Sequence, residues 1–267
     1  NSGCTSVSNV AVSGGNFTSG DTSYGYFNGN GSTFPFQEGI ILSTGKIIHA
    51  RGPNDFISDD GANMGWIGDQ DLNYALGISN SVNATVLEFD FVPLGNQISF
   101  DYIFSSEEYH GSATCTYSDG FAFLLKKVGT TDYQNLALIP GTTIPVKVTS
   151  VHPAILGGCP AQNEQYFDAF NTNEHPTNFN GQTKVLTAKS VVIPGETYHI
   201  KLVIADEGNY RYDSAIFLKG GSFNLGISLG TDRTLATQNP VCFDETLTLN
   251  ATAVGAQSYQ WNFNGNP

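Results

Sequence analysis

Leu87, Phe89 and Phe91 alternate with Glu88 and Asp90; Ile98, Phe100, Tyr102 and Phe104 alternate with Ser99 and Asp101; Tyr198, Ile200, Leu202 and Ile204 alternate with His199 and Lys201. A period of two sends successive side chains to opposite faces of an extended chain, so each run predicts a half-buried strand. Phe121–Leu125, Ile144–Val148, Val191–Ile193 and Ala215–Leu218 predict further strands, separated by Gly, Pro, Asn and Asp clusters that supply turns. No helix longer than about two turns is expected. Many short strands in one large unit predict an all-β fold, a lectin-like or jelly-roll β-sandwich.

Hydrophobic residues make up 40% of the 267, enough for a sizeable core. Against 24 acidic side chains stand 11 basic ones, a formal charge of −13. That sign repels phosphate backbones and anionic headgroups, which argues against nucleic-acid binding and favours cations and neutral ligands. No run of about 18 apolar residues exists, so no membrane insertion is expected. The polar start Asn1-Ser2-Gly3 reads as a mature, processed end. Cys4, Cys115, Cys159 and Cys242 are too far apart for a CxxC motif, and sparse cysteines with few lysines fit a secreted protein.

Long irregular stretches at 50–80, 105–119 and 153–182 hold many of the Asp, Asn, Tyr and Cys residues. Loops of that length inside a compact domain are functional or disordered, and their aromatic content favours order. Cys115 and Cys159 both lie in them and are expected to form a disulfide. A boundary is expected near Gly226–Thr234, giving a first domain over 1–228 and a second over 229–267. In the second, Cys242 followed by Trp261 has the order of immunoglobulin strands B and C. This predicts the start of an immunoglobulin-like β-sandwich whose second cysteine lies beyond Pro267, in a longer surface protein with further such repeats.

Several motifs occur together: Thr85–Pro93, Phe104-Ser-Ser-Glu-Glu-Tyr109, Asp119–Leu124, Asn135–Gly141, Pro194–His199, and Ala205-Asp206 through to Tyr212-Asp-Ser-Ala-Ile-Phe-Leu218. Their sequence and order resemble the choice-of-anchor L family across about residues 20–225. The resemblance implies an extracellular, cell-surface domain of Bacteroidota-type bacteria, outer membrane-associated and exported by the type IX secretion machinery. The segment Gln238–Asn250 is similar to repeats in giant gliding-motility adhesins of the SprB type. One departure is His110–Ser118, where the family often continues with another acidic residue and then Asn-Asp.

Two acidic groups are candidate metal sites. Asp69, Asp71 and Asn73 place oxygen side chains at alternate positions of a short turn, an arrangement that can wrap calcium, although the same residues also serve as turn formers and caps. Glu107, Glu108 and Asp119, with Asp206 and Asp213 on strands that the family resemblance places in the same fold, form the second. With 11 cationic side chains in the chain these acids cannot all be paired, so either calcium or backbone amides must satisfy them. Glu107 and Glu108 share a ligand only if the strand ends or bulges there. Trp66, Tyr109, Tyr166, Tyr210 and Tyr212 lie beside Asp, Asn and Glu, the mixture with which lectins stack a sugar and bond its hydroxyls; packing at the core edge is the alternative. Asp213-Ser214-Ala215 also matches a bacterial O-glycosylation pattern, although its place in a strand favours a fold or metal role.

No catalytic residue is expected: GxSxG, HExxH and GK[ST] endings are all absent. The expected function is therefore a calcium-stabilised adhesin that binds glycans or solid surfaces. A structural tip or cap of a surface filament and a polysaccharide-degrading enzyme are the alternatives.

Overall fold

The computed structural model describes residues 7–61 and 66–225, with 240–242, 244–249 and 260 beyond them. Among the described residues there are twelve strands: β1 (Val7–Ser13), β2 (Tyr24–Asn28), β3 (Glu38–Ser43), β4 (Ser81–Phe91), β5 (Gln97–Ser106), β6 (Gly120–Lys127), β7 (Gln134–Asn135), β8 (Phe167–Phe170), β9 (Gly181–Thr183), β10 (Leu186–Val191), β11 (Tyr198–Glu207) and β12 (Ser214–Lys219). The α-helix α1 (Gln70–Leu76) precedes β4. Among the described residues no helix is long and apolar enough to cross a membrane.

The strands form two antiparallel sheets. One has the order β1-β4-β11-β6-β7; the other runs β2-β3-β12-β5-β9-β8, with β10 pairing the first part of β5. The expected all-β sandwich is therefore what the chain builds. Between the sheets lies a core that includes Phe91, Phe100, Tyr102, Phe104, Phe121, Phe123, Ile200, Leu202 and Ile204. These are the apolar members of the alternating runs, and Tyr102 meets Phe123 edge-on at 4.8 Å between centroids.

The opposite faces are covered too. On the outside of the first sheet Leu72 of α1 packs with Val86, Leu124, Val203 and Ala205. On the outside of the second, Phe34, Phe36, Ile41, Ile103, Phe179 and Phe217 form another apolar layer. This explains why β5, β6 and β11 are buried on both faces over much of their length. Two expected strands fall short: Ile144–Val148 makes only an isolated bridge between Pro145 and Leu138, with Val148–Ser150 a turn of 3₁₀ helix, and of Val191–Ile193 only Val191 is in a strand, as the last residue of β10. Pro145 has no N–H to give to a ladder.

Cys115 and Cys159 are joined by a disulfide, with 5.7 Å between Cα atoms and 44 residues of separation. It ties the loop after β5 to the loop before β8. Replacing both cysteines with serine is expected to destabilise the domain by about 2–4 kcal/mol, read by chemical denaturation, because the closed loop no longer restricts the unfolded chain. Cys242 is exposed and unpaired among the described residues. Most of the expected second domain, from residue 229 onward, lies outside them.

Candidate functional site: a buried carboxylate cluster

The ends of six elements meet at one end of the sandwich: the last residues of β3, β5 and β11 and the first of β4, β6 and β12. They bring together Glu107, Glu108, Asp119, Asp206 and Asp213, each no more than 3% exposed. Local backbone irregularities put them there. The β11–β4 register shifts between Ile204 and Asp206, and the facing Asn83 takes a left-handed φ of 52°. Such bulges re-aim a side chain. At Gly61 a Cβ would fall 2.0 Å from Asn83 Nδ2 and 3.3 Å from Asp206 Oδ2, so the chain crosses close above this pair. Gly45 lies as close to Asp213, where a Cβ would be 2.0 Å from Oδ2.

Hydrogen bonds through Ser58 join two of the five acids, Asp213 and Glu107, and separate donors serve Asp206 and Glu108. Asp213 Oδ2 accepts from Ser58 Oγ at 2.8 Å and from the Asp60 amide at 3.0 Å. Glu107 Oε1 accepts from the Ser58 amide at 2.8 Å. Asn83 Nδ2 donates to Asp206 Oδ2 at 2.8 Å, Ser106 Oγ donates to Glu108 Oε2, and Ser214 Oγ lies 3.3 Å from the same oxygen. Because β5 ends at Ser106, Glu107 and Glu108 are free to serve different parts of one cluster.

The acids are not neutralised by cations. Among the described residues no Lys or Arg pairs with any of the five; Lys46 and His49 pair with Asp60, whose amide donates to Asp213 and whose carboxylate accepts from Ser58 Oγ. Glu107 Oε2, Asp119 Oδ2, Asp206 Oδ1, Asp213 Oδ1 and Asn83 Oδ1 are buried without a hydrogen-bond donor. Burial therefore dominates the electrostatics. It raises Glu107 to about 8, with the Ser58 amide opposing and Asp213 and Glu108 adding repulsion. It raises Glu108 to about 7, partly offset by Ser106, and Asp213 to about 7, partly offset by Ser58. Asp119 is held well above the usual carboxylate range by burial and then by Glu108, and Asp206 by burial and then by Asp213. Like-charged carboxylates in a dry site must share protons or gather a cation. Among the described residues no three His, Cys, Asp or Glu side chains are already converged around one point suited to a metal ion. Binding one requires the donor-free oxygens to turn toward it.

The first acidic group behaves differently from the metal turn expected of it. Asp69 is the N-cap of α1 and accepts from the Leu72 amide at 2.8 Å, and Gly77 closes the helix at φ 67°. Lys201 Nζ lies 2.5 Å from Asp69 Oδ2 and 2.7 Å from Asp71 Oδ2. Asn73 Oδ1 accepts from the Ser81 amide at 3.3 Å. A lysine ammonium, anchored on the outer face of β11, supplies the positive charge here, and the three residues do not join the buried cluster.

The candidate sugar-binding aromatics are also dispersed. Tyr109 is a core residue, 1% exposed, packed 5.1 Å from the Phe167 ring and donating from its hydroxyl to the Val151 carbonyl at 2.9 Å. It has no surface to offer a glycan. Trp66 is half-buried, edge-on to Phe17, with Nε1 donating to the Ala84 carbonyl. Tyr166 packs against the central core. Tyr212 is half-buried at φ 68° with its ring 5.7 Å from His110, and of the five only Tyr210 is exposed. Ser214, the acceptor in the glycosylation pattern, is fully buried and bonded to Ser106.

Sequence reasoning missed Asn83, Ser58, Ser106 and Ser214 as partners of the acids. Only Asn83, a turn-forming residue inside an apolar run, carried a local signal.

No curated protein matches the chain. The family described as the Choice-of-anchor L domain matches residues 1–224, which spans both sheets, α1, the disulfide and all five clustered acids. The chain belongs to the choice-of-anchor L domain family, and with it to the modules of secreted, surface-associated proteins.

Proposed function

We propose that this chain is a non-catalytic adhesive module of a secreted surface protein, and that calcium held by the Glu107, Glu108, Asp119, Asp206 and Asp213 cluster locks the end of the sandwich from which its long loops emerge. The observation that carries this reading is the burial of five carboxylates that, among the described residues, have no Lys or Arg paired with them and present four donor-free oxygens. Calcium takes six to eight oxygen ligands and tolerates irregular geometry, which suits carboxylates aided by Asn83 and the neighbouring serine hydroxyls. When bound it supplies the positive charge that removes their mutual repulsion. A glycosidase needs two carboxylates across an accessible cleft, and the burial of these five speaks for structure over turnover.

Adhesion to glycans or solid surfaces, export by the type IX pathway and a place in gliding-type motility belong to the same proposal. Their support is the family and the resemblance of Gln238–Asn250 to gliding-adhesin repeats. The test is retention of beads coated with the domain on a glycan array and on glass under flow. Retention in calcium that is lost in EGTA is the expected result, and retention no better than that of uncoated beads would overturn the adhesive role.

A further inference from the structure

The outer face of the second sheet carries a groove of about 690 Å³, floored by Phe27, Phe34 and Phe217 and walled by the turn at 29–32 on one side and by Arg51 and Thr177 on the other. The volume falls within the range of small-ligand sites. The floor is rigid. Phe34 and Phe217 lie 4.8 Å apart and Phe27 meets Phe217 edge-on at 5.3 Å, while Phe27 remains partly open to solvent. The Arg51 wall is tied down by its backbone as well. Arg51 bridges to Thr177, the Gly52 amide donates to the Pro176 carbonyl at 3.0 Å, and a Cβ at Gly52 would fall 2.2 Å from the His175 carbonyl oxygen. The opposite wall turns through Asn30 at φ 48° and Gly31 at φ 74°, and nothing lies within 4 Å of where a Gly31 Cβ would be.

Charge sets this groove apart in a chain of −13. None of its lining residues is Asp or Glu. The exposed Arg51 makes no ion pair among the described residues, as is also true of Lys126, Lys184, Lys189 and Arg211, but of these five cations Arg51 alone lines this groove. A guanidinium presents a planar fork of donors that fits a carboxylate in two parallel hydrogen bonds. A ligand that suits this groove carries one carboxylate beside an apolar face.

We propose that this groove binds the uronic acid residues of an acidic polysaccharide, Arg51 holding the sugar carboxylate and Phe27 meeting an apolar ring face. The proposal gives the adhesive reading a ligand class, but it rests on a surface separate from the carboxylate cluster and needs no bound cation. The test is calorimetric titration of the chain with tetragalacturonate, maltotetraose and a tetraglutamate peptide, each in calcium and in EGTA. Saturable binding of tetragalacturonate alone, equal in both buffers, is expected. Arg51→Gln should weaken it at least about tenfold, the loss of a charge-assisted bidentate contact. Arg51→Lys should restore part of it, and Arg211→Gln, an exposed arginine outside the groove, should leave it unchanged. Equal binding of maltotetraose, binding of the peptide instead, no binding at all, or indifference to Arg51→Gln would each overturn the proposal. Binding that survives in EGTA while calcium proves to have no effect on the fold would sink the cation reading and leave the groove intact.

Discussion

If calcium is held by the cluster as proposed, EGTA near neutral pH is expected to lower the thermal midpoint by about 5–10 °C, and excess calcium to restore it. The size follows from linkage: a ligand at about one hundred times its dissociation constant stabilises the folded state by about 2.7 kcal/mol. For a domain of this length that is about 2–4 °C per kcal/mol. The decisive comparison is Asp206→Asn. Asp206 is fully buried, with one oxygen held by Asn83 and the other without a donor. Removing its charge relieves repulsion from Asp213 and Glu108 in the calcium-free protein but deletes a ligand from the calcium-loaded one. The variant should melt above the parent chain in EGTA and gain little from calcium. Scanning fluorimetry of both proteins in both buffers reads the crossover; a variant that melts below the parent in EGTA would indicate an ordinary paired aspartate.

The second large effect is the pH dependence of the calcium-free chain. Folding raises Glu107 to about 8 and Glu108 and Asp213 to about 7, while unfolded carboxylates titrate near 4. Between those limits the folded chain binds more protons than the unfolded one, so stability falls as pH rises. In EGTA the midpoint should drop by more than about 5 °C between pH 6 and pH 8, with calcium flattening the slope. Most acidic groups behave the opposite way, losing stability as pH falls, because their native pKa values are depressed by partners. A midpoint in EGTA that rises between pH 6 and pH 8 would mean that the five acids are ionised and satisfied in the native state.

The strands were legible in the sequence wherever one physical rule governed them. β4, β5 and β11 alternate because one face meets the central core, and Gly and Pro clusters mark where they stop. Ile144–Val148 fails because its apolar pattern ignored the missing donor of Pro145. The acids at the ends of β5, β6, β11 and β12 could be singled out because a surplus of carboxylates over cations must be resolved somewhere. Asp69 and Asp71 looked alike in composition, yet their partner Lys201 is 130 residues from Asp71 and no local pattern reveals it. Asp69 with Gly77 did spell a capped helix, a signal that the alternating oxygens obscured. Tyr109 shows the same limit: its acidic neighbours suggest a wet loop, while Phe167 and Phe170, far along the chain, bury its ring. The groove at Arg51 was invisible because its walls come from three separated segments.

The claim that matters most is that this end of the sandwich is organised by a cation, and crystals grown with excess calcium test it directly by anomalous diffraction. A peak among Asp119, Asp206 and their neighbours, with carboxylate oxygens at about 2.3–2.6 Å, is the predicted result. Well-ordered carboxyl groups hydrogen-bonded to one another in those crystals, with no peak between them, would contradict the account and assign the cluster to shared protons.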